Sequence, residues 1–96
     1  MNIQEILAEK VRTILQRQKA RDVYDLWFLL KKGINIDYSL IRKKSELLNL
    51  KFDTIFFLKR IFEIEKVWKT ELSGYVTTIP DFNEVIGSIK DYFKKT

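Results

Sequence analysis

Apolar residues recur at intervals of three and four along five stretches of this chain, the period of helices with one buried face. Ile3, Leu7, Val11, Ile14 and Leu15, with Ile6 beside them, form the first stripe, and Lys10 sits at its margin. Asn2 precedes it as an N-cap for the free first-turn amides, with Glu5 at the capping-box position. The polar segment Arg17-Gln18-Lys19-Ala20-Arg21 is read as a break, with Asp22 as the next N-cap, although no glycine or proline enforces it. Val23, Leu26, Trp27 and Leu30, with Tyr24 and Phe28 adjoining, then predict a helix from Val23 to Lys32. Lys31 and Lys32 suit its negative end, and Gly33 is placed to close it in the left-handed conformation.

After the connector Ile34-Asn35-Ile36, Asp37 caps a third helix, Tyr38 to about Leu48. Its Leu40, Ile41, Leu47 and Leu48 are expected inward and Arg42, Lys43 and Lys44 toward solvent. Asp53 caps the longest helix, Thr54 to about Ser73, on the order of 28 Å at 1.5 Å per residue. Phe57, Ile61, Ile64, Trp68 and Leu72 step along it, and Ile55, Phe56, Leu58 and Phe62 widen the stripe at its start, which places this helix mid-bundle. Gly74 ends it. Val76-Thr77-Thr78-Ile79 is extended, since a residue before proline, here Pro80, is pushed out of helical geometry. Asp81 caps the last helix, Phe82 to Lys94, with Phe82, Val85, Ile86, Ile89, Tyr92 and Phe93 inward. The expectation is an all-α, five-helix bundle forming a single domain over residues 1–96.

Composition narrows the chemistry. The 96 residues are 46% hydrophobic and 14% aromatic, enough for one core without staples. Neither cysteine nor histidine occurs, which excludes disulfides, thiol chemistry, serine–histidine triads and the usual zinc sites. No apolar run approaches the roughly 20 residues of a membrane span, and Met1-Asn2-Ile3-Gln4-Glu5 has no basic segment leading into an apolar block, so the expected location is cytoplasmic. The net charge of +5 is most lopsided where Lys31, Lys32, Arg42, Lys43 and Lys44 face only Asp37. Such a surface suits a polyanionic partner such as RNA, or simply a solvated face.

The stretch richest in chemistry runs from Glu9 to Leu30. If Asp22 caps a helix, Asp25 falls in its first turn, where free amides and the dipole favour a carboxylate, and no function is needed to explain it. Glu9, Lys10 and Arg21 can equally be surface ion pairs. The functional alternative joins Asp22 and Asp25, one turn apart on one face, to Lys10 from the preceding helix and Arg17 and Arg21 from the connector. Lysine and arginine hold a triphosphate as point charge and fork; a carboxylate binds magnesium or orients a hydroxyl. The choice turns on the connector. An unbroken helix would separate Lys10 and Asp22 by about 18 Å along its axis, whereas a chain that turns back lets them meet.

The run Glu5-Ile6-Leu7-Ala8-Glu9-Lys10-Val11-Arg12, then Gln16-Arg17, then Ala20-Arg21-Asp22-Val23-Tyr24-Asp25-Leu26-Trp27, resembles the C-terminal motif of AbiEii/AbiGii-type nucleotidyltransferase toxins. The likeness extends more loosely to Trp68, Leu72, Pro80-Asp81-Phe82 and Val85. The resemblance implies a helical region that packs on a polymerase-β-like domain of a toxin–antitoxin or abortive-infection toxin and lends it a lysine and an aspartate. Lys10 and Asp22 would be that pair, with Arg17, Arg21 and Asp25 supporting substrate binding.

The family's metal-binding half, a Gly-Ser turn followed by an Asp-x-Asp pair, has no counterpart. Gly87-Ser88 lies within the last helix, and no Asp-x-Asp occurs in the 96 residues. Two-metal displacement needs such ligands. The expectation is therefore a chain that alone holds no metal or cofactor and transfers nothing. Magnesium and a nucleoside triphosphate would enter when a chain with the Gly-Ser and Asp-x-Asp motifs completes it. The alternative is a non-enzymatic helical interaction module that self-associates or binds a partner or RNA.

Overall fold

The computed structural model describes residues 2–17, 19–49 and 51–94. Its helices are α1 (Ile3–Gln16), α2 (Ala20–Lys31), α3 (Tyr38–Glu46), α4 (Thr54–Phe62), α5 (Trp68–Leu72) and α6 (Phe82–Lys94), with a 3₁₀ segment, Glu63–Val67, joining α4 to α5. Counting α4 to α5 as one interrupted helix, the fold is the expected all-α bundle of five. α1 packs against α2, α3 and α4, and α6 closes the bundle against α2 and α4.

Where a helix start depends on nearby residues, it lies where the sequence places it. The side chain of Asn2 accepts from Glu5 N at 2.9 Å, Asp37 from Leu40 N at 3.1 Å, Asp53 from Ile55 N at 3.0 Å and Asp81 from Glu84 N at 3.3 Å. Gly33, at φ +84°, closes α2 through the paired bonds Ile34 N to Leu29 O and Gly33 N to Leu30 O, the Schellman arrangement. Asn49 takes the same left-handed role after α3 at φ +59°, which asparagine tolerates better than other side-chain-bearing residues.

The connector between α1 and α2 is a true break: Arg17 and Lys19 are both extended. Gln18, within that segment, lies outside the described residues. Asp22 is not the cap, however. α2 begins at Ala20, its N-cap is Lys19 with no side-chain bond, and Ala20 N donates instead to Glu71 Oε1 of α5 at 2.7 Å. A carboxylate 51 positions away thus satisfies the first amide, and Ala20 is fully buried beneath it. Asp22 becomes the third helical residue and Asp25 the sixth, beyond the turn where the dipole favours it.

The long helix keeps its inward stripe: Phe57, Ile61, Ile64, Trp68 and Leu72 are all buried. It tightens over Glu63–Val67 and leaves helical geometry at Val67 (φ −110°, ψ 5°), after which Trp68 opens α5 with its indole donating to Pro80 O at 2.9 Å and its ring edge-on to Phe82. The widened stripe of α4 does not place it mid-bundle: Ile55 is 79% exposed, and Phe56 and Phe62 are exposed as well. Two further expectations of burial fail. Leu47 is 82% exposed because α3 ends at Glu46, one residue before it, and Ile3 faces outward on the first turn of α1. Lys44, expected in solvent, turns back to pair with Glu9 at 3.3 Å. No described helix is long and apolar enough to cross a membrane.

Candidate functional site

The break after Arg17 folds α2 back along α1, and this alone brings Lys10 to Asp22. Lys10 Nζ lies 3.0 Å from Asp25 Oδ2 and 3.6 Å from Asp22 Oδ1. The two carboxylates sit three residues apart on one face of α2, so a single ammonium reaches both. Arg17, on the connector, sets its Nε 3.5 Å from Asp22 Oδ2. Tyr75 donates its hydroxyl to Asp25 Oδ1 at 3.0 Å from the turn after α5, where Gly74 (φ +88°) reverses the chain. Arg21 lies over the Tyr75 ring, 5.5 Å from its centroid, and Tyr24 meets that ring edge-on at 6.2 Å.

Lys10, Arg17, Lys19, Arg21, Asp22, Asp25 and Tyr75 together line one recess of about 250 Å³. All five site residues expected from the sequence are among them. Glu9 is not: it turns away to a two-pronged pair with Arg12 and the contact with Lys44, and the Arg12 guanidinium holds its carboxyl below the ordinary value. Tyr75 and Lys19 escaped the sequence reading. Tyr75 stands 50 residues from Asp25, beside a run whose one local message is extended backbone, and the only hint was the glycine before it.

The recess combines burial with a surplus of positive charge. Asp22 is 6% exposed, and its Oδ2 is closed to solvent, accepts no hydrogen bond among the described residues, and lies 3.5 Å from Arg17 Nε. Burial alone would draw the Lys10 ammonium down, but Asp25 and Asp22 more than offset it and the net shift is upward. The bond to Asp25 likewise holds the Tyr75 phenol above its ordinary value. Four cations face two carboxylates here, and the Arg17 side chain, 62% exposed, stands at the rim. In the basic segment from Lys31 to Lys44, Lys31 and Lys32 rest on the rings of Trp27 and Phe28 and Lys44 is paired, while Arg42 and Lys43 are exposed.

This arrangement suits an anionic ligand rather than a metal ion. Asp22 and Asp25 already share an ammonium, and among the described residues no group of three acidic, histidine or cysteine side chains is placed to hold a cation. Divalent ions need more oxygen ligands than this recess has free. Surplus lysine and arginine charge at the mouth of a partly desolvated recess is the usual requirement for phosphate recognition.

Fold and site thus define an all-α domain carrying an ion-paired recess with a surplus of basic side chains. Residues 1–91 match the model of the nucleotidyl transferase AbiEii toxin family of type IV toxin–antitoxin systems, and the chain belongs to that family. Comparison with curated proteins and with solved structures found no match. Membership in a toxin–antitoxin family implies an antitoxin as functional counterpart.

Proposed function

We propose that this chain is the helical accessory part of a nucleotidyltransferase toxin, acting with a domain or chain that carries the Gly-Ser and Asp-x-Asp motifs. The observation that carries the reading is the convergence of Lys10, Arg17, Asp22 and Asp25 in one recess, in a chain of this family that contains no Asp-x-Asp pair. Nucleotidyl transfer is chiefly positioning and charge neutralisation. Magnesium held by the completing domain would supply charge stabilisation at the transferred phosphoryl group. Lys10, kept ammonium by its two carboxylates, places a point charge on a phosphate oxygen, and Arg17 and Arg21 grip the remaining phosphates from the rim. Asp22, closed to solvent, is a positioning residue that holds Lys10 and Arg17 in place. Mixing the chain with an Asp-x-Asp domain encoded beside it, then following incorporation of labelled nucleotide, is expected to give transfer that neither part gives alone. No transfer above that of the separate parts, or no such domain encoded nearby, would sink the reading.

A second reading has one observation in its favour. Ile55, Leu58 and Phe62 of α4 and Ile86 of α6 line an open groove of about 940 Å³ whose walls are largely apolar, and exposed patches of this kind mark interaction surfaces. A non-enzymatic module that self-associates through this groove would sediment as a dimer at tens of micromolar and revert to a monomer on Ile55→Glu. A clean monomer of the wild-type chain at that concentration contradicts it.

A further inference from the structure

Arg21 and Tyr75 do more than line the charged recess. On their other side lies a second hollow of about 420 Å³, formed with Glu71, Ser73 and Gly74, so the Arg21–Tyr75 pair is a wall common to both. Lys19 also borders both hollows. The two differ in chemistry. The smaller holds the Lys10–Asp25–Asp22 cluster and Arg17, whereas the larger has no cation beyond the shared Lys19 and Arg21 and is floored by the turn at Gly74, where even a Cβ would meet open space. Tyr75, 44% exposed, is held in place by its hydroxyl bond to Asp25 and its edge contact with Tyr24, so the ring is oriented before any ligand arrives.

We infer that the larger hollow is a nucleobase subsite in which a planar base stacks on the face of the Tyr75 ring opposite the Arg21 guanidinium, while the linked phosphates run past Lys19 and Arg21 into the charged recess. This rests on the reading of that recess as a nucleotide site. An aromatic face beside a basic groove is what base stacking requires, and such contacts tolerate any base because every base has a π-face. The Glu71 carboxylate borders the hollow while holding the first amide of α2, so the subsite and the start of α2 are built by one element.

The test is calorimetric titration of the 96-residue chain, combined with the completing Asp-x-Asp domain, with inorganic tripolyphosphate, ATP and GTP at low salt. Wild type is expected to bind both nucleotides about tenfold more tightly than tripolyphosphate. Tyr75→Leu, confirmed folded by circular dichroism, should remove that gap, with both nucleotides falling to the affinity the same variant shows for tripolyphosphate. Tyr75→Phe, which keeps the ring and loses the hydroxyl, should retain the gap. If wild type binds tripolyphosphate as tightly as nucleotide, or Tyr75→Leu keeps the preference, the base subsite is wrong and the phosphate recess stands. If wild type binds none of the three, both are wrong.

Discussion

Lys10→Met destabilises the domain by about 2–3 kcal/mol at pH 7, somewhat less than the loss of one partner from a fully buried pair because Asp25 and Arg17 still reach solvent. Methionine keeps the aliphatic stem in place and removes only the ammonium, so the loss reports charge rather than packing. It leaves the carboxylates of Asp22 and Asp25 one turn apart with Arg17 as the only remaining ion-pair partner of either among the described residues. Urea unfolding of wild type and variant at pH 7 measures the difference. At the alkaline end wild type loses the stabilisation that Lys10 and Tyr75 contribute. Lys10 is held above its ordinary 10.5 and Tyr75 above its ordinary 10.0. A raised native value means the native state retains its proton longer than the unfolded chain. The stabilisation is therefore complete below about pH 10 and is lost as pH rises through the native values. Equal stability of variant and wild type at pH 7 would mean that the ion cluster contributes nothing.

Trp68→Ala removes about 3–5 kcal/mol, the usual cost of deleting a buried aromatic side chain. The indole is 2% exposed, lies 5.3 Å from the Phe82 ring, and ties α5 to the start of α6 through Pro80 O. In a domain whose total stability is on the order of 5–15 kcal/mol this brings unfolding near ambient temperature, with the melting point lowered by roughly 15–30 °C. Trp68→Phe keeps most of the volume and loses the hydrogen bond, and should cost about 1–2 kcal/mol. Thermal denaturation separates the two. A small effect of the alanine variant would mean that the α5–α6 corner is not part of the cooperative core.

These two residues illustrate what was legible in the sequence. Trp68 lies on a stripe of threes and fours, and such a stripe keeps its inward face even where the helix tightens to 3₁₀ over Glu63–Val67. The caps at Asn2, Asp37, Asp53 and Asp81 were legible because each side chain acts two or three residues ahead. The start of α2 was not, because Glu71 supplies the acceptor from 51 residues away and lets the helix begin before Asp22. The meeting of Lys10 and Asp22 needed only one fact, the break after Arg17, which the polar run suggested and no glycine or proline enforced. Tyr75 required knowing where the chain returns after Gly74, a tertiary fact. The exposed faces of Ile55 and Phe62 have the same origin: hydrophobicity says that a residue gains by burial, not what is present to bury it.

The most direct test of Lys10 and Asp22 as the contribution of this helical part is nucleotide transfer by the completed enzyme with Lys10→Ala and Asp22→Ala, each confirmed folded by circular dichroism. Both variants are expected to lose transfer by at least about a hundredfold, Lys10→Ala through lost charge at the phosphates and Asp22→Ala through a misplaced Lys10 and Arg17. Full transfer by both variants would contradict the account.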